Sequence, residues 1–349
     1  MRVFVWLGLL VTMASCSPER STSTDRGAGS VSTDAASSER RSSEPVVAEL
    51  VKVEAPSQVY SLAYSNDGKL IASGQRGKPV SVWDANSRKR LREVGPDRTV
   101  KCLKFSPDDT RIATSGWTGQ KDCIAIWDVR TGELVNEFGD RHGTGECLAF
   151  SPDGQRLASA DGAYVRVWNV ETGSAEVTVK GTCPVFLPDG RRIACGAWLT
   201  RNQWGVKLFD ISSGDELAVM PGHSKTVKSI DLSHDGKRIV STGFDRTIKV
   251  WKIETGEELV SASYKKAGND FYVRFSPDDK LLVTLCGPEF TIWDADTGVE
   301  RMTVAGKPRG FLLFAAEFSP DGRTIAVASS ANVLLFWDVP SLQAVRSKY

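Results

Sequence analysis

The chain has three histidines, His142, His223 and His234, and none stands in a recognisable Ser-His-Asp or Cys-His-Asn arrangement. Nucleophilic catalysis needs a hydroxyl or thiol beside an oriented base, so it finds no support here. Seven cysteines are present, at 16, 102, 123, 147, 183, 195 and 286, with no CxxC pair and no histidine cluster at metal-ligand spacing. Asp-Gly and Asp-Asp pairs recur, but no loop of alternating oxygen ligands surrounds them, which argues against calcium. Turn chemistry explains them instead, since Asp caps its own backbone and Gly accepts positive φ. The composition therefore points to no catalytic residue, no metal and no cofactor.

Charge narrows the partners. The 349 residues carry a formal net charge of +1 with both signs interspersed, unlike the concentrated cationic footprint of a nucleic-acid binder. The first sixteen residues differ from the rest. Met1-Arg2 gives one positive charge, Val3 to Met13 is apolar, and Ala14-Ser15-Cys16 closes the run. That apolar run is too short to span a bilayer, which takes roughly 20 residues, and suits the core of a signal peptide. The segment MASC resembles a bacterial lipobox with Met13 where Leu is usual; the resemblance implies cleavage before Cys16 and acylation of its thiol. Ordinary secretory cleavage nearby, or a different start site, would leave Cys16 without that role. Residues 17–45 are rich in Ser and charge with almost nothing to bury, so they read as a disordered tether reaching about 30 Å. The expected organisation is a signal peptide over 1–15, a tether over 16–45 and a folded body over 46–349. The expected location is the bacterial cell envelope, as a periplasm-facing lipoprotein of the outer rather than the inner membrane, with the lipid as the chain's contact with the membrane.

The elements that must position any site follow from a repeat. Turns of one kind recur as SNDG at 65, SPDD at 106, SPDG at 151, LPDG at 187, SHDG at 233, SPDD at 276 and SPDG at 319. Each precedes a strand ending in an aromatic: Trp83, Trp127, Trp168, Phe209, Trp251, Trp293 and Trp337, at intervals of 44, 41, 41, 42, 42 and 44 residues. A period in the low forties with Trp-Asp endings resembles the WD-repeat family of β-propellers over residues 46–349. The resemblance implies an all-β fold, a seven-bladed propeller, with four antiparallel strands per copy, read in copy five as TVKSIDLS, KRIVST, RTIKVWK and EELVSAS. One such sheet cannot bury both faces, and radial packing of seven can. Residues 46–54 are expected to supply the fourth strand of the last copy because they are rich in β-branched residues; residues 342–349 are the competing candidates.

The family's buried network of His, Ser or Thr, Asp and Trp falls on His223, Ser241, Asp245 and Trp251, whose partners satisfy one another, so its role is structural. Other copies hold Ser73, Thr114, Ser159, Cys195, Thr284 and Val327 at the second-strand place, with Asp candidates only in Asp122 and Asp161 and His142 an approximate counterpart. Cys102, Cys147 and Cys183 occupy the first-strand place of Ser61 and Ser229, as small fillers. Equivalent points on neighbouring copies are expected to lie too far apart for a disulfide.

What does not repeat suggests a site. Trp117, Trp198 and Trp204 are not needed by the repeat and are expected in turns between second and third strands, in the two copies where that turn is longest. Trp117, Trp198 and Phe244 share one register position, with Arg76 there in copy one. The loops leading into first strands, on the same end, add Arg98, Arg141, Lys180, Lys225, Lys265, Lys266, Lys307 and Arg309. Aromatics with cations form interaction hot spots; alternatively, these tryptophans fold over their own blade edges. The expected function is a non-enzymatic platform for an unknown protein partner, not nucleic acid. The alternatives are a hydrolase or dehydrogenase working in the central channel, where Asp231, Glu146 and Asp270 are the available acids, and a purely structural envelope protein.

Overall fold

The computed structural model describes residues 50–117, 122–139, 147–264, 272–305 and 312–339. The expectations for Cys16, the leader and the tether lie outside these, as do those for Arg141, His142, Glu146, Lys265, Lys266, Asp270, Lys307, Arg309 and 342–349; Trp117 and Asp122 are described in their backbones alone. All described residues fall in one compact unit, Val46–Tyr349.

The described chain is built from antiparallel sheets, five of four strands and one of seven. Copy five shows how sequence makes one. Val227–Leu232, Arg238–Gly243, Thr247–Lys252 and Glu258–Ser263 pair in order, and residues 239–242 and 248–251 are buried without alternation, because a neighbouring sheet covers each face. Turn chemistry sets the entry to each second strand. In copy three the Ser151 hydroxyl donates to Asp153 at 2.5 Å and accepts from the Arg156 N–H at 2.9 Å, while Gly154 takes φ 70°.

Between copies these turns follow a reciprocal rule. Where a turn carries Pro at its second place, the next copy has Gly at its fourth: an added methyl on Gly68 would lie 3.6 Å from Pro320, and one on Gly154 3.4 Å from Pro107. Where the second place is Asn66 or His234, the backbone has an N–H to satisfy, and the next copy supplies an acceptor. Asp109 accepts from the Asn66 N–H at 2.7 Å and Asp279 from the His234 N–H at 2.7 Å. Both aspartates take φ near +60° to reach there, a conformation with a cost for a non-glycine residue.

The core is divided into clusters, each joining consecutive copies. Ala63, Val82 and Val94 of copy one pack with Leu103, Ile112 and Trp127 of copy two, and Val283, Phe290 and Ile292 of copy six with Ile325, Val327 and Trp337 of copy seven. Leu62, Ile71 and Trp83 of copy one also pack on Ala326, Leu334 and Phe336 of copy seven. The first strands touch in chain order, and Val59–Tyr64 of copy one also touches Leu313–Phe318 of copy seven. The fourth strand of copy seven is Leu50–Glu54, paired antiparallel with Val333–Asp338.

Two local expectations change. Copy one's outer strand and copy two's first strand are one continuous strand, Arg90–Phe105, which gives the seven-stranded sheet. Buried Val94 and Val100 leave too short a link for a free loop, and Gly95 crosses over against the Trp127 ring at φ 75°. Trp117, Trp198 and Trp204 are also not in turns. They lie in Arg111–Trp117, Arg192–Thr200 and Gln203–Asp210, because the extra residues extend the hairpin ladders rather than loop out.

Candidate functional site

The extended hairpin of copy four places Trp198 opposite Trp204. Trp204 is half-buried, whereas Trp198 is 62% exposed, the most exposed large apolar side chain among the described residues. In copy five Phe244 is 41% exposed; its N–H donates to the Thr226 carbonyl, and the Lys228 ammonium sits 5.5 Å from its ring centre. In copy three Tyr164, which the sequence reading passed over, is 41% exposed with the Arg166 guanidinium 6.0 Å from its ring. Its signal was an aromatic at the solvent-facing start of a third strand, where copy five has Thr247. These three aromatics stand at the same end of consecutive copies, with exposed Lys180 and Lys225 beside them. Arg76 is exposed too, its N–H held by the Gln58 carbonyl. Arg98 does not join them. It pairs with Glu137 at 2.9 Å and lies over the Trp127 ring, because the strand that carries it stays in the ladder.

His223 ends the fourth strand of copy four, Glu216–His223, and turns its ring into copy five. Its Nδ1 lies 2.9 Å from Asp245 Oδ2 and its Nε2 2.8 Å from the Ser241 hydroxyl, which also accepts the Trp251 indole N–H at 2.8 Å. Burial works against ionisation of Asp245, but hydrogen bonds from His223, the Ser224 N–H and Thr247 outweigh it and hold the carboxyl down at about 2. Every polar atom of this set is engaged within it. The indole–hydroxyl bond recurs as Trp83–Ser73, Trp127–Thr114, Trp168–Ser159 and Trp293–Thr284. Copy one completes its set with Gln75, which donates to both Ser73 and Ser81. Asp161 serves Arg166 and the Ala163 and Tyr164 N–H groups of its own hairpin.

The first strands line two adjoining cavities of about 540 and 620 Å³. Four side chains distant in sequence meet on their walls. Glu317 Oε1 accepts from Lys104 Nζ at 3.0 Å, the Tyr272 hydroxyl at 2.7 Å and Arg274 Nε at 3.3 Å. Burial opposes the Glu317 charge, yet Lys104 and Arg274 hold its carboxyl down at about 2. Asp231 accepts the Phe275 N–H at 2.8 Å, and burial pushes its carboxyl up despite Arg274. Of the acids considered for chemistry in the channel, Asp231 therefore has a partner, and the anion that organises the wall is Glu317. The sequence reading missed it because its partners come from copies two and six. One carboxylate is shared by two cations and a hydroxyl from other copies, which makes the arrangement a clasp between copies two, six and seven. Among the described residues no group of three or more His, Cys, Asp or Glu could hold a metal.

The same wall corrects the reading of the cysteines. Cys102, Cys147 and Cys183 all line it, but Cys147 Sγ and Cys183 Sγ are 3.1 Å apart. Equivalent first-strand positions converge at the cavity, and a break in register between Thr182 and Val185 re-aims Cys183 toward its neighbour.

Comparison with known proteins agrees with the repeat. The family model described as WD domain, G-beta repeat matches residues 49–84, 88–128, 134–169 and 214–252. The chain is 27% identical over 229 residues to a U3 small nucleolar RNA-associated protein 15 homolog of Xenopus tropicalis, covering 64% of this chain and 43% of that protein. It is 26% identical to the transcriptional corepressor LEUNIG_HOMOLOG of Arabidopsis thaliana, covering 80% and 35%, and 25% identical to Autophagy-related protein 16 of the same plant, covering 78% and 54%. The chain thus spans about half or less of the length of these relatives.

Proposed function

We propose that the chain is a WD40-repeat protein and a non-enzymatic platform on which another protein docks, built as a seven-bladed propeller and exported with a lipid on Cys16; four stretches matched by the family model support this reading. The ring is supported by clusters that join each copy to the next and copy seven to copy one, and by Leu50–Glu54 completing the last copy's sheet. In this reading the long strand Arg90–Phe105 serves two blades, its outer part pairing with Lys78–Asp84 and its inner part with Arg111–Trp117. The cavities are then the channel, and the Glu317 clasp occupies it with groups already paired, which favours a structural over a catalytic use.

The observation that carries the docking face is Trp198, whose backbone pairs opposite Trp204 in the ladder while its indole is 62% exposed, with Phe244 and Tyr164 on the adjoining copies. An indole offers about 150 to 250 Å² of rigid surface, so covering its exposed part contributes about 2 to 4 kcal/mol at ~25 cal per Å². Arg76, Lys180 and Lys225 supply the cationic rim. The test places a photo-crosslinking residue at 198 and, as a control, at Lys237 in a turn between first and second strands. Partner capture should come from 198 alone, and Trp198→Ala should weaken it by about 2 kcal/mol without moving the melting temperature. Loss of stability with capture retained would make Trp198 packing for its own hairpin and refute the assignment.

A further inference from the structure

The cavity wall holds a pair of nucleophiles that the docking role does not use. Cys147 opens the first strand of copy three, Cys147–Phe150, and is half-buried at the cavity. Cys183 lies in the first strand of copy four, Thr182–Phe186, is buried, and has φ 47° where the register breaks. A non-glycine residue in this conformation persists only when its surroundings enforce it. Here the Thr182 hydroxyl is tied to the Val227 carbonyl at 3.0 Å, and Cys183 Sγ rests 2.7 Å from the Lys228 carbonyl. The result is a fixed sulfur 3.1 Å from that of Cys147.

That separation selects the chemistry. Two thiolates sharing one tetrahedral zinc at about 2.3 Å each would stand roughly 3.7 Å apart and need further ligands, and no third ligand of metal-binding type joins them among the described residues. A disulfide needs about 2.05 Å, a closure of about 1 Å across the gap. We propose that Cys147 and Cys183 form a reversible disulfide that staples copies three and four at the cavity wall, made by exchange with a small disulfide of the glutathione class. The Cys147 thiolate, its proton given to solvent, attacks one sulfur of the incoming disulfide. That S–S bond breaks, and one thiol leaves after taking up a proton. Cys183, deprotonated in turn, attacks the Cys147 sulfur and releases the second thiol. Two electrons pass from the protein thiols to the oxidant, which departs as two thiols. The cavity of about 540 Å³ gives access to Cys147, and Lys101 and Lys228 on its wall complement an anionic peptide disulfide. The other thiol on this wall stays out of the reaction, since burial pushes Cys102 up to about 11; burial likewise pushes Cys195, in the neighbouring strand, up to about 12.

The experiment equilibrates the folded full chain with mixtures of oxidised and reduced glutathione, blocks remaining thiols with N-ethylmaleimide and maps linked peptides by mass spectrometry. The expected result is a Cys147–Cys183 peptide that grows with the oxidised fraction and disappears with dithiothreitol, while Cys102 and Cys195 take up the blocking agent after unfolding. Cys183→Ser should leave glutathione attached to Cys147, since the resolving thiol is gone, and Cys147→Ser should leave buried Cys183 unmodified. Closing a loop of 36 residues should also raise the melting temperature of the oxidised wild type by several degrees. Absence of the linked peptide under the most oxidising mixture overturns the proposal, whatever the serine variants do, and so does linkage of a different pair.

Discussion

Replacing Glu317 by Gln keeps the side chain's volume and its ability to accept from Tyr272 but removes the charge that Lys104 and Arg274 surround. The carboxyl falls from an ordinary 4.5 to about 2 in the fold. A shift of that size, at about 1.4 kcal/mol per pKa unit, corresponds to about 3 kcal/mol of stabilisation of the ionised form. Removing one partner of an enclosed ion pair typically costs about 3 to 5 kcal/mol, because the remaining charges lose their compensation. Glu317→Gln should therefore lower unfolding free energy by about 3 kcal/mol at neutral pH, measured by urea denaturation. The pH dependence gives an independent reading. The folded-state pKa lies below the unfolded one, so the contribution is complete above about pH 4.5 and is lost as pH falls through about 2. Wild type should lose stability across that window and the variant should lose less, the two curves converging toward the acid end. Introduced into the Glu317→Gln background, Lys104→Met should cost less than it does in wild type, since its ion pair is already gone. A Glu317→Gln variant within about 0.5 kcal/mol of wild type at neutral pH, or one with the same acid slope, would refute the clasp.

Three further outcomes follow from the structure. His223→Ala removes a donor and acceptor from Asp245 and Ser241 and should cost about 1 to 3 kcal/mol in thermal unfolding while partner binding persists in the folded state; unchanged stability with lost binding would make His223 functional. Val51→Asp together with Val53→Asp places charge in the strand that covers Val333–Asp338, so the melting temperature should drop and size-exclusion chromatography should show association through the exposed edge; an unaltered monomer would show that this strand is dispensable. Cys16→Ala should abolish fatty-acid labelling and release the protein from the membrane fraction; persistent labelling would sink the lipid anchor.

The repeat itself was legible because its signals are local. A Ser-Pro-Asp-Gly turn, a second-strand hydroxyl and a closing Trp interact with residues a few positions away, as Ser151 with Asp153 and Trp168 with Ser159 do, so their spacing already contains their geometry. The copy boundaries could be argued from that spacing, while the all-β class and the pairing of His223 with Asp245 followed from the resemblance to the WD-repeat family. Other features are written in the sequence but unreadable without knowing which copies adjoin. The exchange of Gly for Asp109 and Asp279 answers the loss of Pro one copy earlier, a rule that has meaning only once the two turns are neighbours. What tertiary structure alone decided are the contacts formed by convergence. Glu317 meets Lys104 across 213 residues, and Cys183 meets Cys147 because a register break and a positive φ re-aim one side chain. The exposure of Trp198 belongs here as well. The same residue in a looser hairpin could have folded over its own sheet, and only the extension of the ladder through Thr200, which commits the backbone to strand pairing, leaves the indole facing water.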